Sequence, residues 1–106
     1  MRKYHGKRVK NEASLWWQIS AAEKLGDESL SWGYWCYDDR QTAKYLLIVI
    51  PGHGIISWCY QADDGRDTWK LSGPHDSPSL HPSLMVNRGK PDQWHGWFKK
   101  GVLEEI

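Results

Sequence analysis

Very little in this 106-residue chain marks it for a membrane, for secretion or for disulfide stapling. Its longest apolar run, Tyr45 to Ile50, is strand-length and far short of the ~20 residues that a membrane-spanning helix needs. The N-terminus is charged with no apolar stretch behind it, so no secretory leader is expected and the expected location is cytoplasmic. Cysteine occurs only at Cys36 and Cys59, which excludes a disulfide framework and leaves a single bridge open. Internal repeats and low-complexity linkers are also missing, so one domain is expected.

The usual marks of catalysis are equally scarce. There is no C-x2-C and no H-x3-H pair to hold zinc, and His75 and His81 sit six apart across Pro78. No nucleophile elbow is present. Ser79 and Ser83 flank His81, but neighbours two apart on an extended strand do not meet closely. Pro51-Gly52-His53-Gly54 lacks the lysine and the spacing of a phosphate loop. The chain therefore leans away from being an enzyme.

What the chain has in abundance is tryptophan: eight, with five tyrosines and one phenylalanine. Each buried aromatic removes roughly 150–250 Å² from water, so a few can fill the core of a small domain. Eight exceed that need, and the adjacent pair Trp16-Trp17 cannot both face inward from one element, so one or two tryptophans are expected at the surface as interface anchors. The net charge of +1 hides an asymmetry. Arg2, Lys3, Lys7, Arg8 and Lys10 crowd the first ten residues, while the other 96 carry nine basic and thirteen acidic side chains. Residues 1–10 read as a flexible basic arm on an acidic body, an organisation that argues against a broad nucleic-acid-binding face.

The pattern predicts a helix over Asn11 to Leu25, with Leu15, Ile19 and Ala22 on one stripe, Asn11 or Ser14 as its cap and Gly26 as its stop. Strands are expected at 30–37, 45–50, 55–60, 68–71 and 84–86, with an Asp64-Gly65 turn of hairpin or bulge type. Ser72 to Pro82 reads as an extended loop, because residues before proline avoid the helical region. Trp94–Lys99 and Val102–Ile106 should pair as a terminal hairpin through Lys100-Gly101. The fold class is thus α+β, mainly antiparallel: one N-terminal helix and a small sheet or open barrel.

The candidate binding residues cluster late in the chain: His81, Pro82, Ser83, Trp94, Trp97, Lys99 and Lys100, joined by Trp17. Aromatic and cationic side chains in this mixture suit a protein interface. A nucleic-acid module is the alternative, using the basic arm (Arg2, Lys3, Lys7, Arg8, Lys10) and the Lys-Trp hairpin.

From Trp35-Cys36 onward, Trp69, Gly73, Pro78, Ser79, Pro82, Ser83, Leu84, His95, Phe98, Gly101 and Val102 follow a pattern of the form FWCPxC…PTxxPSL…CHxFxxxGxI. Over roughly residues 34–104 the chain thereby resembles a family of small phage and prophage domains that look like zinc ribbons. The resemblance implies a β-rich fold and phage origin, and no particular reaction. Asp39 stands where the second cysteine would fall, Lys44 near the expected histidine, and Trp94 in place of the cysteine before His95. Of the ligands so implied, Cys36 and His95 remain, with Asp39 as an oxygen donor and Cys59 or His81 as further helpers. The site is expected to be degenerate and no cofactor is expected; a bound zinc, in a Cys/His metal enzyme, is the alternative. The functional expectation is a phage or prophage accessory protein that binds a host bacterial protein, in its narrowest form an anti-defence inhibitor such as an anti-CRISPR.

Overall fold

The computed structural model describes residues 1–106. Its elements are β1 (Arg2–Tyr4), α1 (Glu12–Lys24), a 3-10 turn (Glu28–Ser31), β2 (Trp35–Asp39), β3 (Ala43–Ile50), β4 (Gly54–Ala62), β5 (Lys70–Ser72), β6 (Ser79–Val86), β7 (Trp94–Lys99) and β8 (Val102–Glu105). These build a three-stranded sheet, β2-β3-β4, and a five-stranded sheet, β1-β8-β7-β6-β5, with every strand pair antiparallel. The expected α+β, mainly antiparallel class is the observed one.

Strand alternation explains the layering. On β3, Leu46, Ile48 and Ile50 point between the sheets, where they meet Trp35, Trp58, Leu80, Leu84, Trp94, Phe98 and Leu103. Tyr45, Leu47 and Val49 point the other way, into a second core with Leu15 of α1, Cys36 and Cys59. A strand buried on both faces has no room for polar alternation, which is why β3 is the longest apolar run in the sequence. Helix α1 starts where Asn11 caps it, its side-chain oxygen accepting from the Ser14 amide at 3.0 Å. It ends before Gly26, whose φ of +75° is the left-handed stop expected there.

The two sheets are also joined along their edges. Beyond β1, which pairs with β8, the chain crosses to the other sheet: the Val9 amide donates to the Trp35 carbonyl at 2.8 Å, and the Trp35 amide to Lys7 at 3.2 Å. On the far edge the Trp69 amide, just before β5, donates to the Cys59 carbonyl of β4 at 2.8 Å. The result is two packed sheets, joined by an isolated bridge at one edge and a single hydrogen bond at the other.

Several expectations are corrected here. Residues 1–10 were expected as a flexible arm, yet they hold β1 and the seam to β2. Gly6 and Gly33 pack so closely that a Cβ on Gly6 would stand 2.0 Å from the Gly33 carbonyl carbon. The strand expected at 30–37 begins only at Trp35, because the chain first winds a 3-10 turn capped by Asp27. Leu30 is therefore exposed. The Asp64-Gly65 turn makes no hairpin, since β5 pairs with β6 rather than β4. The end of the Ser72–Pro82 loop, from Ser79, is strand β6, carrying a bulge: Leu80 faces Phe98 and Leu84 faces Gly96, so three residues on β6 oppose Trp97 alone. The terminal hairpin forms as expected, with Lys100 and Gly101 both at positive φ.

Two substitutions test this packing. Phe98→Ala should cost about 3–5 kcal/mol, the usual loss for a buried phenylalanine. Gly6→Ala forces backbone apart and should also lower the urea midpoint clearly, whereas Gly52→Ala, with open space around it, should cost only the ~1–2 kcal/mol of a left-handed residue. Equal midpoints for the Gly6 and Gly52 variants would show that the N-terminal segment is not a seam.

Candidate functional site

The structure divides the expected binding residues between two faces and the interior. His81, Ser83, Trp97 and Lys99 come together on the outer face of the five-stranded sheet, around the β6 bulge. The His81 and Trp97 rings lie 5.8 Å apart, the Lys99 ammonium sits 4.8 Å over the Trp97 ring, and His95 Nε2 is 2.9 Å from Ser83 Oγ. Pro82 is exposed beside His81, across a cis peptide bond. Lys100 turns away at the hairpin tip, where its amide donates to Ser79 Oγ at 2.9 Å.

Trp94 is not on this face. It is buried between the sheets, and its indole N–H donates to Glu105 at 2.8 Å. Gly96 makes the room: a Cβ there would stand 2.4 Å from the Trp94 ring and 2.2 Å from the Glu104 carbonyl oxygen. An isolated glycine inside a strand pattern was the available signal of that close approach. Trp94 is thus a core residue, and its place among the contact residues is withdrawn.

The helix layer is the second face. Trp17 is 68% exposed and Trp16 beside it 54%; Leu30, on the 3-10 turn, is exposed at 52%. Between α1, the 3-10 turn and the β3–β4 turn lies a cleft of about 310 Å³, lined by Trp16, Ile19, Glu23, Glu28, Trp32 and His53 among others. The Trp16 indole N–H donates to Glu12 at 3.3 Å. Sequence reasoning singled out the Trp16-Trp17 pair, with Trp17 as the contact residue, but missed Trp32 and the two glutamates, because what joins them is the folding of the 3-10 turn against the helix.

The basic residues of the first ten are partly engaged. Lys3 pairs with Glu104 at 3.6 Å. Arg8 donates to Asp76 at 2.9 Å and to His75 Nε2 at 3.1 Å, and its guanidinium lies 5.1 Å from the Tyr37 ring centre. A guanidinium only donates, so His75 Nε2 is the acceptor there. Tyr37 stacks on the His75 ring at 4.2 Å and donates its hydroxyl to the His75 carbonyl at 2.8 Å. This clasp ties the N-terminal segment, β2 and the β5–β6 loop together. Arg2, Lys7 and Lys10 remain exposed.

The expected metal ligands do not converge. Cys36 points into the helix-side core, Asp39 ends β2 in the exposed register opposite Lys44, and His95 lies on the outer face of the other sheet. No group of three His, Cys, Asp or Glu side chains is placed to hold a metal ion. Cys36 and Cys59 share one core but stand on β2 and β4 with β3 between them. Two strand spacings are roughly 9–10 Å, beyond the ~7 Å Cα limit of a disulfide, and both thiols are free. Burial, with Asp38 adding to it, pushes the Cys36 thiol up to about 11. At the far end of β3, Arg66 donates to Asp64 and to the Tyr45 hydroxyl. That guanidinium holds the Asp64 carboxyl down to about 2.

No family model matches the chain, and no curated protein or solved structure matches it.

The thiol and carboxyl shifts give two measurable consequences. At pH 8 the native protein should leave Cys36 unalkylated by iodoacetamide, and unfolding in urea should expose both cysteines to the reagent. The Asp64 carboxyl should titrate near 2 by NMR, and near its ordinary value of 3.8 in Arg66→Gln. A depressed folded-state value means the pair's support is present above the unfolded-state value and disappears as pH falls through about 2.

Proposed function

We propose that this chain is a phage or prophage accessory protein that works by binding a host protein. The observation that carries the binding part is the helix layer, where Trp16, Trp17 and Leu30 stand exposed although the two cores have ample aromatic filling. Large apolar side chains grouped at the surface of a small domain mark a contact site, and tryptophan is foremost among residues that dominate interfaces. The phage part, and its narrower anti-defence form, rest on the sequence pattern around Pro78–Leu84 and His95–Val102.

A nucleic-acid role has less support. Two of the five basic side chains near the N-terminus already hold carboxylates, and the Trp97 ring is covered by Lys99 rather than open for a base to stack.

The test compares wild type with Trp16→Ser/Trp17→Ser as bait in lysate of a bacterial host, in moderate salt. Both side chains are exposed, so the variant should fold with an unfolding midpoint close to wild type. A stoichiometric protein complex present with wild type and lost with the variant is the expected result. A complex retained in full by the variant would refute the helix layer as the contact site. Association with nucleic acid that falls steeply between 50 and 200 mM salt would favour the other role.

A further inference from the structure

The cleft beside α1 has a chemistry of its own that the exposed tryptophans alone do not convey. Its lining includes two indoles, Trp16 and Trp32, and two carboxylates, Glu23 and Glu28, with no lysine or arginine. None of the four ion pairs in the molecule involves Glu23 or Glu28. The cation nearest in sequence to Glu23, Lys24, lines a separate hollow with Trp17. Neither carboxylate therefore has a cationic partner in the protein.

The walls are held in place. Glu12 anchors the Trp16 indole from one turn earlier on α1, and Trp32 immediately precedes Gly33, which is packed against Gly6. Tyr4 braces Trp32 edge-on, with ring centres 5.5 Å apart. His53 is held too: its Nε2 lies 2.8 Å from the Asp92 carbonyl oxygen, which can only accept, so Nε2 donates there.

A concave site with aromatic walls and unpaired carboxylates is complementary to a cation that is flat and weakly hydrated. Indole faces attract cations, most strongly where water is excluded, and a guanidinium both stacks on them and forks onto carboxylates. An ammonium would gain the charge contact without the stacking.

We propose that this cleft receives an arginine side chain from a basic segment of the partner protein, with the guanidinium against Trp16 and Trp32 and its N–H groups donating to Glu23 and Glu28. The assignment rests on the protein-binding reading and names the chemistry that the partner must present. The exposed Trp17 and Leu30, outside the cleft, would then cover apolar surface next to the arginine.

The probe is a capped peptide, Gly-Ser-Gly-Arg-Gly-Ser-Gly, alongside versions in which citrulline or lysine replaces the arginine. Citrulline keeps the shape and removes the charge. Binding is followed by the indole N–H resonances of ¹⁵N-labelled protein, assigned by single Trp→Phe variants. Saturable shifts are expected at Trp16 and Trp32 and not at Trp97, with citrulline binding at least tenfold weaker and lysine in between. Glu23→Gln/Glu28→Gln should weaken the arginine peptide at least tenfold without moving the unfolding midpoint, since both carboxylates lack a cationic partner in the native fold. Equal binding of arginine and citrulline peptides, full binding by the glutamine variant, or no shift at either indole would overturn the assignment. If host-protein capture still depends on Trp16 and Trp17 while the glutamine variant captures as well as wild type, the arginine assignment fails alone. If capture does not depend on the tryptophans, the protein-binding reading fails whatever the peptide does.

Discussion

Everything else in this fold depends on the burial of Trp35 between the two sheets. Its ring meets Phe98 of the five-stranded sheet edge-on, with centres 5.6 Å apart, and Tyr37 of its own strand at 5.5 Å. Its backbone meanwhile pairs with Lys7 and Val9, so the N-terminal segment is held by the residue whose side chain joins the sheets. Even the terminal hairpin is shaped to it: a Cβ on Gly101 would stand 3.8 Å from the Trp35 indole nitrogen. One aromatic residue thus connects the seam, the inter-sheet core and the last turn. In a domain this small, few large side chains are available to share that task.

With the interior so closed, reactive groups are held inert and the distinctive chemistry moves outward. Both thiols are in the helix-side core, and Cys36 is held protonated by burial. The histidines mostly serve as local partners: His75 in the arginine clasp, His53 on the Asp92 carbonyl, His95 beside Ser83. The helix layer, by contrast, exposes two tryptophans, a leucine and two glutamates that make no ion pair. That contrast, a closed interior beneath an exposed apolar and acidic surface, is the physical basis for reading the protein as a binder.

The sequence carried the local features well where one short segment decides the outcome. Asn11 and Gly26 bound the helix because capping is settled within one turn. Lys100-Gly101 makes its hairpin because two left-handed residues between short strands leave little choice. Local pattern misled where a distant partner decides. Leu30 to Tyr37 alternates like a strand, yet Asp27 caps a 3-10 turn and only the part that pairs with β3 is extended. The proline-rich run reads as loop, yet Ser79–Val86 finds β7 and becomes a strand, its bulge absorbing the extra residues. The basic first ten residues look solvated, and only the fold shows that Arg8 has Tyr37, His75 and Asp76 waiting for it.

By itself, then, the sequence determined the class: one capped helix, no apolar run long enough for a membrane-spanning helix, an aromatic-rich core and a surplus of tryptophan that must reach the surface. Those properties follow from composition and from periodicities within a few residues. Which tryptophan is core and which is surface was decided only in three dimensions. Trp94 and Trp97 are three apart on β7, so strand alternation sends them to opposite faces, and only the packing of the second sheet makes the Trp94 face the inner one. Trp16, Trp32, Glu23 and Glu28 form one cleft only because the 3-10 turn packs against the helix. Strand pairing and helix docking join residues far apart in the chain, and no local pattern encodes the distance between them.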